Sequence, residues 1–211
     1  MARPAGVRNQ DYEDKRTALL EAMLAYVECE HVVQPSLRQL AIGAGVSDVS
    51  LRHYFGDRRG VVIALFDHLR DTTRGIRETM RQRAETVSEA ISIYLSLASR
   101  AGSDESYIRQ HVFALREAMA DGEVYAHYQA SVLEPAADAL GEGLVKSSNG
   151  VLSTEAARQA ASHIVFNAMF LAMQRLIDPE KTSVADMTGQ LKRFTRWITF
   201  GLEADIAALK A

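Results

Sequence analysis

Cysteine and proline are both scarce in this chain. A single cysteine, Cys29, excludes an intrachain disulfide and is typical of a protein in a reducing compartment. Four prolines in 211 residues, without runs of alternating β-branched residues, favour an all-helical chain. No apolar run reaches the roughly 18 residues of a membrane span, and the N-terminus MARPAGVRNQ lacks the apolar core of a signal peptide. We therefore expect a cytoplasmic protein with no membrane segment.

Positive charge is also scarce for a protein that binds nucleic acid. The formal net charge is −3, and residues 1–60 hold as many acidic as basic side chains. A basic surface patch is the usual mark of a nucleic-acid-binding domain. Any affinity of this segment for DNA must therefore come from the local placement of its basic residues. These are Arg3, Arg8, Lys15, Arg16, Arg38, Arg52, Arg58 and Arg59.

Catalytic motifs are absent as well. The chain has no glycine-rich phosphate loop and no Gly-x-Ser-x-Gly elbow. Its one Glu-x-x-His pair is Glu28 and His31, whereas a di-metal helical bundle needs two such pairs and two further carboxylates. The six histidines are scattered along the chain. We expect no catalytic residue, no metal site and no cofactor.

The most informative stretch is residues 36–55, SLRQLAIGAGVSDVSLRHYF. Ser36 and Gln39 have the spacing of a capping box at a helix start. Gly45 stands where that helix must end, because glycine tolerates the left-handed backbone of a helix C-terminus. Ser47 can then cap a second helix. Two short helices around a glycine turn predict a helix-turn-helix, whose second helix enters the major groove of DNA.

The apolar positions of this stretch would close a small core between the two helices, leaving a polar face on the second. Asp48 on that face can accept a hydrogen bond from a cytosine amino group. The predicted phosphate or base contacts are Ser36, Ser47, Asp48, Val49, Arg52, His53, Tyr54 and Arg58.

The segment from Asp14 to Leu69 resembles the TetR family of bacterial transcriptional regulators. The matching features are the turn Ala44-Gly45-Val46, the serine after it, the pair Tyr54-Phe55, and Arg58 where the family usually has lysine. The chain departs from the family at three sites. It has Arg52 where the family usually has an aromatic residue, and Asp48 and Val49 where it often has lysine and glycine.

Periodicity predicts an all-α chain of about nine helices. A flexible arm, residues 1–11, precedes a three-helix DNA-binding domain, residues 12–60, and a helical effector-binding and dimerisation domain, residues 61–211. Pro135 should kink or break the seventh helix. The expected helices are Tyr12–His31, two within residues 36–55, Asp57–Arg81, Glu85–Arg100, Asp104–Ala120, Glu123–Ser147, Thr154–Ile177 and Val184–Lys210.

The last two expected helices suggest a dimer interface. The eighth carries small residues on one face, and the ninth is apolar on two faces, so something beyond its own chain should cover it. In the TetR family, which the segment from Asp14 to Leu69 resembles, the last two helices form half of a four-helix dimer interface. Ordinary packing in the core of a single chain is the alternative. The candidate interface residues are His163, Ala168, Ala172, Phe194, Trp197, Ile198 and Phe200.

Aromatic residues with a few polar neighbours in the middle helices are consistent with a small-molecule pocket, although the same pattern also fits plain core. The candidates are Tyr94, His111, Phe113, Arg116, Tyr128, Phe166, Asn167, Phe170 and Met173.

Together these features predict a homodimeric TetR-like regulator of transcription. It would bind a palindromic operator in double-stranded DNA as a repressor and be released by a small-molecule effector. The alternative is a helical-bundle enzyme or a ligand carrier whose head does not bind DNA.

Overall fold

The computed structural model describes residues 5–29 and 34–210, with side chains described from residue 10 onward. Arg3, the Arg8 side chain and His31 lie outside the described residues. The described part of the chain contains eleven α-helices, one π-helical segment and no strands. The helices are α1 (Ala5–Cys29), α2 (Leu37–Gly43), α3 (Asp48–Phe55), α4 (Arg58–Thr72), α5 (Arg74–Met80), α6 (Val87–Ser103), α7 (Glu105–Ala120), α8 (Gly122–Tyr128), α9 (Glu134–Ser147), α10 (Thr154–Ile177) and α11 (Val184–Lys210).

The chain divides into two compact units. The first comprises Met1–Asp71 and Arg109–Tyr128, and the second comprises Thr72–Ile108 and Gln129–Ala211. The first unit therefore extends beyond the expected limit at residue 60. It takes in α4, most of α7 and α8, because charged and polar side chains of those helices pair with residues of the head.

Helix α1 begins at Ala5, seven residues before the expected start at Tyr12. Residues 5–11 of the expected arm are thus helical. No proline follows Pro4 in this stretch, and the Gln10 Nε2 donates to the Asp14 Oδ1 one turn later, at 3.3 Å. The buried side of α1 packs with α2 and α3 through Leu20, Met23, Leu24, Val27, Leu40 and Leu51.

Two of the nine expected helices are each divided. The helix expected over Asp57–Arg81 ends at Thr72 and restarts at Arg74, next to two β-branched threonines and Gly75, which are weaker helix formers. The helix expected over Glu123–Ser147 is divided by a π-helical segment, Gln129–Leu133. Pro135 lies in the first turn of α9, just after that segment. At Pro135 itself the helix continues; the irregular segment directly before α9 is consistent with proline having no N–H to donate to the preceding turn.

The second unit is a helical bundle whose core is formed by α6, α9, α10 and α11. Glycine allows close packing in it. A Cβ on Gly143 of α9 would lie 2.2 Å from the Met80 carbonyl oxygen, and one on Gly141 would lie 3.2 Å from the Arg158 Cα. Small residues are thus required where α9 crosses its neighbours.

Helix α10 is the one described helix that is long and apolar enough to cross a membrane by length and composition. It packs against α9 and α11. Its buried Arg175 donates from Nε to the Gly102 carbonyl oxygen at 3.1 Å, next to the end of α6. These contacts are those of a bundle helix in a folded core.

Candidate nucleic-acid interface

The predicted capping pattern of α2 and α3 is present. The Ser36 Oγ accepts from the Gln39 N–H at 3.3 Å, and the Gln39 Oε1 accepts from the Ser36 N–H at 2.9 Å. The Ser47 Oγ accepts from the Ser50 N–H at 3.1 Å. Gly45 between the helices has φ +66°, a left-handed conformation that glycine adopts without a Cβ clash. Local side-chain chemistry therefore holds the turn.

The outer face of α3 is open to solvent. Leu51 is buried beneath it, while Asp48, Val49, Arg52 and His53 are exposed. Val49 retains 71% of its surface. The second helix of the motif therefore presents one carboxylate, one small apolar group and two nitrogen-bearing side chains to any partner.

An aromatic cluster supports this face from α1. Tyr12 stacks on Tyr54 with ring centroids 4.8 Å apart, and His53 meets the Tyr54 ring edge-on at 5.3 Å. One turn along α1, the Arg16 guanidinium lies 5.2 Å from the centroid of Phe55. Sequence reasoning missed the role of Tyr12, although its spacing of four from Arg16 places both on one face of α1.

Five basic residues of the first unit fall into two groups. Lys15, Arg38 and Arg52 are exposed, and among the described residues none of them has an ion pair or side-chain hydrogen bond. By contrast, Arg58 and Arg59 are held by carboxylates of the same unit. Lys15, Arg38 and Arg52 therefore offer uncompensated positive charge for a phosphate.

Arg58 forms an ion pair with a buried carboxylate. Its Nη2 donates to both carboxylate oxygens of Glu117, at 2.7 and 2.8 Å, and its Nε donates to the Pro35 carbonyl oxygen at 2.7 Å. The Glu117 side chain is only 2% exposed. The Arg58 side chain is 36% exposed, so loss of Arg58 would leave a buried carboxylate unpaired, whereas loss of Glu117 would leave a partly solvated guanidinium. The structure thus places Arg58, an expected DNA contact, in an internal ion pair.

Neighbouring contacts add to this connection between α4, α7 and α8. Arg59 pairs with Asp121 at 2.8 Å and also with Glu123. The His127 ring lies 3.1 Å from the Asp67 carboxylate. Since several of these groups are exposed, each such pair contributes little stability on its own.

The expected pocket residues are distributed over both units. His111, Phe113, Arg116 and Tyr128 belong to the first unit, and the others belong to the second. His111 is buried, its Nδ1 lies 3.2 Å from the Tyr128 hydroxyl, and burial lowers its pKa to about 4. Arg116 is exposed.

In the second unit, burial raises the pKa of the Tyr94 hydroxyl well above its ordinary value. The Asn167 Oδ1 is buried and, within the described part of the chain, accepts no hydrogen bond. Phe166 and Phe170 are exposed, at 43% and 59%. Phe166 and Phe170, which the sequence suggested as pocket-lining residues, therefore lie on the surface of this chain.

The expected interface residues are also divided. His163, Trp197 and Phe200 are exposed, and Trp197 retains 64% of its surface. In contrast, Ala172 is 3% exposed, and its Cβ lies against the site of Gly102 in the same chain. Partly buried residues pack on the core of their own unit: Ala168, Phe194 and Ile198. The large apolar side chains that are exposed on α10 and α11 are those of Phe166, Phe170, Ile177, Val184, Trp197, Phe200 and Leu209.

No protein-family profile matches the chain, and no curated protein matches it. Solved structures do. The fatty acid degradation regulator FadR from Bacillus halodurans superposes with a TM-score of 0.68 at 20% identity, covering 89% of this chain and 96% of that one. A protein of Rhodococcus sp. assigned to the TetR family of transcriptional regulators gives 0.69 at 15% identity, covering 94% and 100%. A TetR family transcription regulator from Marinobacter aquaeolei VT8 gives 0.58 at 20% identity, covering 87% and 97%. The chain has the fold of the TetR-family transcriptional regulators.

Proposed function

We propose that this protein is a DNA-binding transcriptional regulator that acts as a homodimeric repressor. The observation that carries the proposal is the exposed face of α3 in a capped helix-turn-helix. On this face, Asp48 and Arg52 have no ion pair or side-chain hydrogen bond within the described part of the chain. In such motifs the second helix lies in the major groove. The fold shared with TetR-family regulators supports the same function.

Different side chains would contact different parts of the DNA. Arg52 is placed to donate to guanine or to phosphate, Val49 to contact a thymine methyl, and Asp48 to accept from cytosine. Lys15 and Arg38 supply uncompensated charge for phosphates. Four further candidates contact the backbone or position their neighbours: Ser36, Ser47, His53 and Tyr54. Arg58, in contrast, is proposed to act within the protein through its ion pair with Glu117.

A palindromic operator has two half-sites, so its recognition requires two copies of the helix-turn-helix. We propose that the exposed apolar side chains of α10 and α11 pair with the same side chains of a second copy. Two α3 helices would then meet half-sites about 34–36 Å apart on one side of the duplex.

The effector is proposed to be mostly apolar, with one polar group that donates a hydrogen bond. The unsatisfied Asn167 Oδ1 in the second unit supports this chemistry, since a buried acceptor without a donor costs about 1–3 kcal/mol until a ligand satisfies it. A neighbour in fold, FadR, is a fatty acid degradation regulator. A coupling of about 3 kcal/mol between effector and DNA would weaken operator binding roughly a hundredfold. Such a regulator acts in the cytoplasm.

Selection of binding sites from random duplexes, followed by gel-shift titration, tests the proposal. We expect a palindromic site, bound by the wild type far more tightly than scrambled duplex of equal length. DNA from upstream of the protein's own gene is the first natural sequence to test. Binding that is weak and equal for all duplexes would contradict DNA recognition. It would leave the helical-bundle enzyme or ligand carrier as the better description.

A further inference from the structure

One guanidinium group joins both flanks of the helix-turn-helix. Arg58 is the first residue of α4, directly after the motif, and it donates to the carbonyl of Pro35, directly before the Ser36 cap of α2. The same group donates to both carboxylate oxygens of Glu117. The two ends of the DNA-binding motif are therefore connected through a single side chain.

Glu117 supplies that connection from outside the motif. It lies on α7, 59 positions after Arg58, and is buried within the first unit. The Glu117 carboxylate would be poorly solvated without a partner, which favours keeping the partly exposed Arg58 guanidinium beside it. The position of the Arg58 guanidinium, and with it the Pro35 carbonyl, is thus fixed by α7.

We propose that Glu117 is a positioning residue for DNA binding. Through Arg58 it fixes the start of α2 and the start of α4, and so the orientation of α3, without touching DNA. This inference rests on the proposed function. It assigns a role in DNA binding to a residue that no feature of the helix-turn-helix sequence indicates.

The experiment compares Glu117→Gln, Arg58→Gln and the double variant with the wild type, using the selected operator at several salt concentrations. Glutamine keeps the size of glutamate, so the packing of α7 is retained while the charge is removed. Glu123→Gln is the matched control, because Glu123 is an exposed carboxylate near the same helix ends and pairs with Arg59. Binding is measured well below the melting temperature of each variant, where loss of stability alone leaves the affinity of the folded protein unchanged.

Both single variants should weaken operator binding by about 2- to 30-fold. The dependence of affinity on salt should keep its wild-type slope, since no phosphate contact is lost. The double variant should bind no more weakly than the weaker single variant, because both changes break one interaction. Glu123→Gln should bind like the wild type.

Two results would overturn the proposal. Wild-type affinity in Glu117→Gln would show that the pair does not position the motif. A salt slope lower by about one contact in Arg58→Gln alone would show that Arg58 binds phosphate directly. Should Glu117→Gln fail to fold, Arg58→Lys provides the test: it keeps the charge beside Glu117 but loses the bond to Pro35, so we expect intermediate affinity and an unchanged slope. A wild type that binds no DNA would instead contradict the proposed function.

Discussion

Arg52 is the residue on which DNA binding should depend most directly. It is exposed on α3 and, among the described residues, has no internal partner, so Arg52→Ala should weaken operator binding without unfolding the protein. A phosphate contact predicts a similar loss on every sequence and a salt slope lower by about one. A guanine contact predicts a loss of about 1–3 kcal/mol confined to the operator. Arg116→Ala, an exposed arginine of α7, is the control. Unchanged binding to both DNAs would remove Arg52 from the interface.

Val49 projects from the same face as Arg52, one turn earlier on α3. Its exposed apolar side chain suits the methyl group of thymine. Replacing the contacted thymine of the operator by uracil removes only that methyl, and should cost the wild type about 0.8 kcal/mol. Val49→Ala should bind thymine and uracil operators almost equally. If every thymine can be replaced without effect on the wild type, Val49 contacts no methyl group.

His111 should make the stability of the fold depend on pH. Burial lowers its pKa from 6.5 to about 4, so the unfolded chain takes up a proton at a higher pH than the folded chain does. The contribution of the neutral imidazole is complete above pH 6.5 and is lost as pH falls toward 4. The loss amounts to about 3 kcal/mol. Urea unfolding between pH 7 and 4.5 should show this decline, and His111→Gln should reduce it, whereas His163→Gln, an exposed histidine, should not. Equal pH dependence in both variants would contradict the assignment.

At the level of elements, close helix packing depends on single glycines. Gly143→Ala should lower the free energy of unfolding by about 1–3 kcal/mol, because the new Cβ would lie 2.2 Å from the Met80 carbonyl oxygen and force α5 and α9 apart. Gly75→Ala on α5 is the control. Its Cβ meets nothing within 4 Å, so the better helix propensity of alanine should raise stability by about 0.5–1 kcal/mol. Equal effects of the two substitutions would show that the crossing is not tight.

The elements that sequence predicts well are those set by local chemistry. Ser36 with Gln39, Gly45 and Ser47 specify the caps and the turn of the motif within a few residues, and each of these features is present. The division of helices at Thr73 and at residues 129–133 was harder, because hydrophobic periodicity continues across both places. The Arg58–Glu117 pair joins residues 59 positions apart. No local pattern indicates which of many carboxylates will meet a given arginine.

At the scale of the whole molecule, the burial of side chains on α10 and α11 bears on which residues we propose for the dimer interface. Small residues on α10 suggested close approach of a partner helix, but Ala172 is buried in its own chain and Ala168 packs on its own core. The aromatic side chains of Phe166, Phe170, Trp197 and Phe200 are exposed to solvent instead. Burial of apolar surface contributes about 25 cal/mol per Å², and a standard interface hides ~800 Å² on each partner. A stable dimer therefore requires the aromatic side chains of both helices.

Phe170→Asp and Phe200→Asp test this interface, because each places a charge on the exposed face while sparing the core. Phe170 and Phe200 retain 59% and 60% of their surface in the single chain, so both variants should fold with near wild-type helix content. Sedimentation at micromolar concentration should show a dimer for the wild type and a monomer for each variant. The variants should also bind a palindromic operator poorly, because each head then holds a single half-site. Met119→Asp, at an apolar residue of the first unit that is 80% exposed, should remain dimeric. A monomeric wild type, or dimers in both phenylalanine variants, would place the interface elsewhere.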